Sequence, residues 1–294
     1  MRARPRPATA WHTGDLLKLH RHAVWLDGRR FTVITLRPGT GARFASNYYH
    51  RTRHVLSDLH GARVLGRLLW GLAYQRVPGT LILLGPPQLD PCPFCGAPSD
   101  PVALVPAGLT SLPVRAAREL RARLPLSAPE GTVRWHTPGL LPAVTAGRER
   151  PPGRLVPAGP EHRIDRHGGL LVMAATPPVL REWAVQVYRL GEHSWKGMDY
   201  TELGWPDGEV QVFTDYRRRV SATRVARREV LAALPGPLAE SDLDPLIWAR
   251  AAEIRARAWA GPDQPAAART SRAARAPEAS APWTDPVARW SPQT

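Results

Sequence analysis

The chain has 294 residues, of which 43% are hydrophobic, and a formal net charge of +15. This length and apolar share support one large or two small packed domains and exclude disorder throughout. The two cysteines, Cys92 and Cys95, stand too close together to staple a disulfide scaffold, and no run of about 18 apolar residues exists to span a membrane.

Residues 1–15 read as a frayed arm. Its start, Arg2-Ala3-Arg4-Pro5-Arg6-Pro7, is basic but lacks the apolar stretch of a signal peptide, so the expected compartment is cytoplasmic and no membrane partner is expected. A hairpin follows: His22–Leu26 and Phe31–Leu36 flank Asp27-Gly28, a strong two-residue turn signal. A helix is predicted from about Tyr48, capped by Asn47 or Ser46. Val55, Leu59, Ala62, Leu65, Leu69 and Leu72 lie on one side of it, with Gly66 allowing close approach to a sheet. Leu81–Leu84 reads as a short buried strand, residues 85–112 as turns, and Pro113–Leu124 as a helix with proline at its start.

Residues 125–161 are rich in Pro and Gly apart from a candidate strand at Thr132–Trp135, and read as a connection between two lobes. The second lobe opens on a strand at Gly169–Ala174, followed by a helix from Pro177 to about Leu190. Residues 191–208 read as a loop, Glu209–Phe213 as a strand and Tyr216–Leu234 as an Arg-rich helix. A last helix is capped by Ser241 and stopped by Gly261-Pro262. The Ala/Pro/Arg/Ser composition of 262–294 cannot build a core and reads as a disordered tail. The expected fold class is therefore α+β. A hairpin/helix/strand lobe spans 16–124, a connection 125–161, and an α/β lobe with the Arg-rich and C-terminal helices 162–261.

The most specific local pattern is Pro91-Cys92-Pro93-Phe94-Cys95-Gly96. It resembles the C-P-x-C-G knuckle of zinc ribbons and treble clefs, in which two thiolates supply half of a tetrahedral site and the glycine lets the chain turn under the metal. The chain has no second cysteine pair, so zinc would need histidines. His162 and His167, spaced H-x4-H, complete the candidate ligand set with Cys92 and Cys95, and His50 and His54 form another close pair. The alternatives are a turn without metal and a redox pair like that of glutaredoxins. The redox pair needs a helix starting at the first cysteine, which Pro98 and Pro101 disfavour.

Nearly all the basic residues are arginine, and residues 261–294 are close to neutral, so the excess of positive charge sits in residues 1–260. On the Arg-rich helix Tyr216, Val220, Val230, Leu231 and Leu234 share a broad side. Arg217, Arg224 and Arg228 line up opposite, flanked by Arg218 and Arg227. A row of guanidinium groups suits phosphate oxygens, while the alternative is a solvated helix face. The segment Arg43–His54 interleaves aromatic and basic residues as base stacking requires, the alternative being tyrosines packed on the hairpin. Asp199, Glu202, Asp207, Glu209 and Asp215 surround the strand on which Glu209 and Gln211 share a face. This resembles the metal-binding strand of PD-(D/E)xK nucleases, with Gln where Lys is usual and Asp199 standing in for the first acid. The leading expectation is a non-enzymatic nucleic-acid-associated binding protein using the second lobe's arginines. The alternatives are a protein-interaction module braced by a zinc knuckle, and a metal-dependent nuclease.

Overall fold

The computed structural model of the protein describes residues 16–148, 162–204 and 207–259. The expected arm 1–15 and tail 262–294 lie outside them. In chain order the strands are β1 (Leu16–Leu26), β2 (Arg29–Thr35), β3 (Phe44–Tyr49), β4 (Thr52–Ser57), β5 (Thr80–Leu84), β6 (Val102–Pro106), β7 (Gly131–His136), β8 (His162–His167), β9 (Leu170–Ala175), β10 (Met198–Glu202) and β11 (Gly208–Phe213). The helices are α1 (Leu59–Leu72), α2 (Val114–Ala122), α3 (Leu140–Arg148), α4 (Pro177–Arg189), α5 (Tyr216–Ala233) and α6 (Glu240–Trp259).

The hairpin expected at Asp27-Gly28 is present, and both turn residues take left-handed φ angles of 47° and 70°, as a tight hairpin demands. It belongs to a seven-stranded sheet of order β7-β1-β2-β5-β6-β9-β8. A four-stranded sheet has order β10-β11-β4-β3. Strands from the two expected lobes pair directly: β6 runs parallel to β9, and β4 parallel to β11. The two halves of the chain therefore share both sheets, and the 125–161 connection itself supplies β7 and α3.

One core joins the sheets. Ile34, Ile82, Leu104 and Met173 from the large sheet meet Phe44, Val55, Val210 and Val212 from the small one, with α1 and α4 between. α1 is buried on nearly every side, leaving only a strip with Arg63 and Arg67 half exposed, as befits a helix enclosed by a core. α2 packs on the other face of the large sheet, against Val33, Leu83 and Val172. α5 lies on the outer face of the small sheet, and α6 packs on α5 through Leu243, Ile247 and Ala251. Among the described residues no helix is long and apolar enough to cross a membrane.

Several elements differ from expectation. Residues 44–57 form a β-hairpin rather than a helix entrance, because α1 starts only after Asp58, whose carboxylate accepts the Gly61 N–H at 2.8 Å. Residues 102–106 and 198–202, read as turns and loop, are strands β6 and β10. α6 begins one residue before Ser241, and the Ala239 carbonyl accepts the Asp242 and Leu243 N–H groups. Gly66 faces a helix and not a sheet: a Cβ there would lie 2.9 Å from the Ala184 carbonyl oxygen and from Tyr188 Cβ on α4.

That contact gives a direct test. Gly66→Val pushes α1 away from α4, and the overpacking costs about 1–3 kcal/mol, more than the helix propensity gained by removing glycine. The thermal midpoint followed by circular dichroism drops by about 3–10 °C. An unchanged or raised midpoint contradicts the close helix crossing.

Candidate nucleic-acid interface

Strand alternation divides the small sheet into two faces. Val55, Val210 and Val212 point to the shared core. The outer face carries Ala45, Asn47 and Tyr49 on β3, then Thr52, His54 and Leu56 on β4. Beside them lie Glu209, Gln211 and Phe213 on β11, and Met198, Tyr200 and Glu202 on β10. Tyr216 and Val220 of α5, together with Phe94, roof the apolar half of this face over Ala45, Leu56 and Phe213. The other half carries a cross-strand row in which Asn47, His54, Glu209 and Glu202 stand directly opposite one another.

The row is largely desolvated. His54 is only 7% exposed, and its pKa is lowered to about 4 by burial, with the neighbouring His50 adding to the effect. Burial likewise pushes Glu209 up to about 7, and Glu202 adds to it, while the hydrogen bond donated by Gln211 Nε2 to Glu209 Oε1 (2.7 Å) opposes it. His54 Nε2 and Glu209 Oε2 are 3.9 Å apart, within reach of an ion pair but too far for a hydrogen bond. Because burial disfavours both charges, the contact is one between neutral groups. Asp199, proposed above as a companion acid, pairs with Val212 in register and so faces away from Glu209. Its carboxylate accepts the Gly191 N–H at 2.7 Å. Asp215 is taken up by Arg219 at 2.6 Å.

The tip joining β3 to β4 is the exposed end of this sheet. Its two residues, His50 and Arg51, have φ of 48° and 66°, a conformation that asparagine and glycine adopt readily and that costs other residues roughly 1–2 kcal/mol each. Tyr48 and Tyr49 beside it are 59% and 56% exposed, so they do not pack on the hairpin. Each is paired with a cation or imidazole instead. The Arg53 guanidinium lies 4.5 Å from the Tyr48 ring centroid, and the His50 ring stacks on Tyr49 at 4.0 Å.

The arginines of α5 are placed on its outer side, but several are tied down. Arg217 reaches Asp58 at 3.3 Å and the Gly41 carbonyl at 2.8 Å. Arg224 reaches Asp90 at 3.1 Å, a carboxylate shared with Arg43. Arg227 donates to the Cys95 carbonyl at 3.0 Å. Arg218 and Arg228 are exposed. Leu231, expected to anchor the helix, is 48% exposed, since Val230 and Leu234 take the contact with α6.

The cysteine pair sits where the outer face meets α5. The Cys92 N–H bonds to the Ala97 carbonyl and the Gly96 N–H to the Cys92 carbonyl, closing a tight turn with Gly96 at φ 66°. Phe94 wedges between Phe213 and Trp248, with centroids 5.5 and 5.4 Å away, and Thr223 Oγ1 donates to the Pro93 carbonyl. Asn47 Nδ2 lies 3.8 Å from Cys92 Sγ, which links the thiols to the polar row. The histidines proposed as zinc ligands are elsewhere. His162 and His167 are five apart on strand β8, which puts them on opposite faces and roughly 17 Å apart along the strand. The His162 ring packs on Trp183, and His167 Nε2 bonds to the Leu112 carbonyl. These four residues do not form one site. His50 and His54, likewise, lie at a hairpin tip and in a strand rather than on one helix face.

The buried pair of titrating groups has opposite effects on stability. Glu209 keeps its proton in the fold after the unfolded chain has lost it, so stability falls as pH rises from about 4.5 to about 7. His54 stays neutral in the fold, so stability is lost as pH falls from about 6.5 to about 4. The two nearly offset each other between these limits. Glu209→Gln removes the first effect. It stabilises the protein at pH 8 by about 1–3 kcal/mol, changes little at pH 4.5, and leaves stability rising with pH in between. Urea unfolding across that range reads it out, and a pH-independent effect contradicts the buried neutral carboxyl. No protein-family model, curated protein sequence or solved structure matches the chain.

Proposed function

We propose that the protein is a non-enzymatic nucleic-acid-binding protein that engages single strands at the tip of the β3–β4 hairpin. The observation that carries this reading is the exposure of Tyr48 and Tyr49, on the two faces of β3 beside the strained His50-Arg51 turn, with Arg53 opposite Tyr48. Exposed aromatic rings stack on any base, here beside or in exchange for the Arg53 and His50 contacts, and adjacent guanidinium groups meet the backbone phosphates. Strain of this kind persists where the turn residues serve something other than folding. The net charge of +15 supplies the sequence-independent attraction. Arg217, Arg218, Arg224, Arg227 and Arg228 contribute in second place. The Arg217 and Arg224 guanidinium groups are 63% and 54% exposed, so a phosphate can reach them beside Asp58 and Asp90. The nuclease alternative has less support, because Asp199 and Glu209 lie on opposite faces of the sheet.

Fluorescence anisotropy with a labelled single-stranded oligonucleotide and its duplex tests this. The single strand binds more tightly. Replacing Tyr48 and Tyr49 by alanine weakens its binding at least tenfold, from a stacking contribution of about 1–3 kcal/mol per base. Arg51→Gln and Arg53→Gln each flatten the plot of log affinity against log salt by about 0.7. Since the tip is exposed, the circular dichroism spectrum stays that of the parent. A parent that binds no oligonucleotide at low salt, or a double variant that binds as the parent does, contradicts the proposal.

A further inference from the structure

We infer that Cys92 and Cys95 form a site for a thiophilic cation of low coordination number, copper(I) above all, held by the two thiolates without histidine.

The turn presents both sulfurs on one side. The two thiols are immediate neighbours, and Asn47 Nδ2 lies 3.8 Å from the Cys92 sulfur. Cys92 is 2% exposed while Cys95 is half-buried, so a cation has a way in and a dry seat once there. The turn is also braced from behind. Phe94 is clamped by Phe213 and Trp248, Thr223 holds the Pro93 carbonyl, and Arg227 holds the Cys95 carbonyl. A Cβ on Gly96 would lie 3.1 Å from the Thr223 carbonyl oxygen, so the turn closes against α5 only with glycine there. The pair is pre-organised and needs little rearrangement on binding.

The number of donors selects the metal. Zinc in a closed site takes four nitrogen, sulfur or oxygen ligands. Among the described residues no group of three His, Cys, Asp or Glu side chains gathers at metal-binding distance, and the neighbour of Cys92 is the Asn47 amide. Two thiolates with nothing else suit a soft monovalent d10 ion, for which thiolate sulfur is the preferred donor. Binding forms two metal–sulfur bonds, and the protons of the two thiols go to solvent. The oxidation states of sulfur and copper do not change. The resulting charge of −1 lies near the Arg227 guanidinium, which donates to the Cys95 carbonyl, and that cation offsets the nearby Asp244 carboxylate.

The full chain, reduced and kept free of oxygen, is titrated with copper(I) in competition with bicinchoninate. One equivalent is withdrawn from the chelator, and Cys92→Ser and Cys95→Ser each lower the affinity at least 100-fold. Cobalt(II) added in place of copper gives no intense tetrahedral absorption bands. Should either variant fail to fold, iodoacetamide labelling of the parent decides the matter: copper(I) protects both thiols from alkylation, as mass spectrometry reads it. Any one of four results overturns the inference. These are copper left with the chelator, undiminished binding in the folded cysteine variants, unprotected thiols, and a tetrahedral cobalt spectrum, which shows further ligands.

Discussion

The crossing of α1 and α4 is the contact on which the rest of the structure depends. At Gly66 the α1 backbone comes against the Ala184 carbonyl and Tyr188, with no side chain between them. That closeness lets a single helix pair fill the space between a seven-stranded and a four-stranded sheet. Both sheets then bury one face on the same helices, and each needs its own cover only on the far side. α2 serves the large sheet. α5 and the cysteine turn serve the small one over Ala45, Leu56 and Phe213 of its outer face, and α6 backs α5.

The change from apolar to polar side chains across that face sets the character of the site. Where α5 and Phe94 stop, the outer face changes from Ala45, Leu56 and Phe213 to Asn47, His54, Glu209 and Glu202. Burying a histidine and a carboxylate side by side disfavours both charges, and the result is a neutral pair in which the carboxyl holds its proton to about pH 7. The same β3 and β4 strands run outward into the tip that carries Tyr48, Tyr49, His50 and Arg51. The strands are held rigidly by β11 and by the shared core, so a strained and exposed tip stands on a firm base.

How much of this is legible in the sequence depends on whether the signal is local. Asp27-Gly28 announces its hairpin, Leu81–Leu84 its strand and Pro177 the start of α4, because turn chemistry, apolar runs and helix entry are read within a few residues. The second hairpin is hidden, since His50-Arg51 is not a turn sequence. Val55, moreover, falls by chance on the helical spacing of Leu59 and Ala62. Asp58 is the signal that would have placed the helix start correctly. The α5 helix and its arginines are visible in the sequence, but the carboxylates that take them are not. Asp58 and Asp90 lie far away in the chain, and only the fold brings them to Arg217 and Arg224. The H-x4-H spacing of His162 and His167 misleads for a related reason. The same separation that suits a metal on a loop or helix puts the two rings on opposite faces of a strand.

The central claim is that bases stack on Tyr48 and Tyr49, and photocrosslinking tests it most directly. A single-stranded oligonucleotide carrying 5-iodouracil is irradiated with the protein at low salt and the adducts are located by mass spectrometry. Stacking at the tip places the adduct on the peptide containing Tyr48 and Tyr49, and excess unlabelled single strand abolishes it. Adducts confined to other parts of the protein, with none at the tip, contradict it.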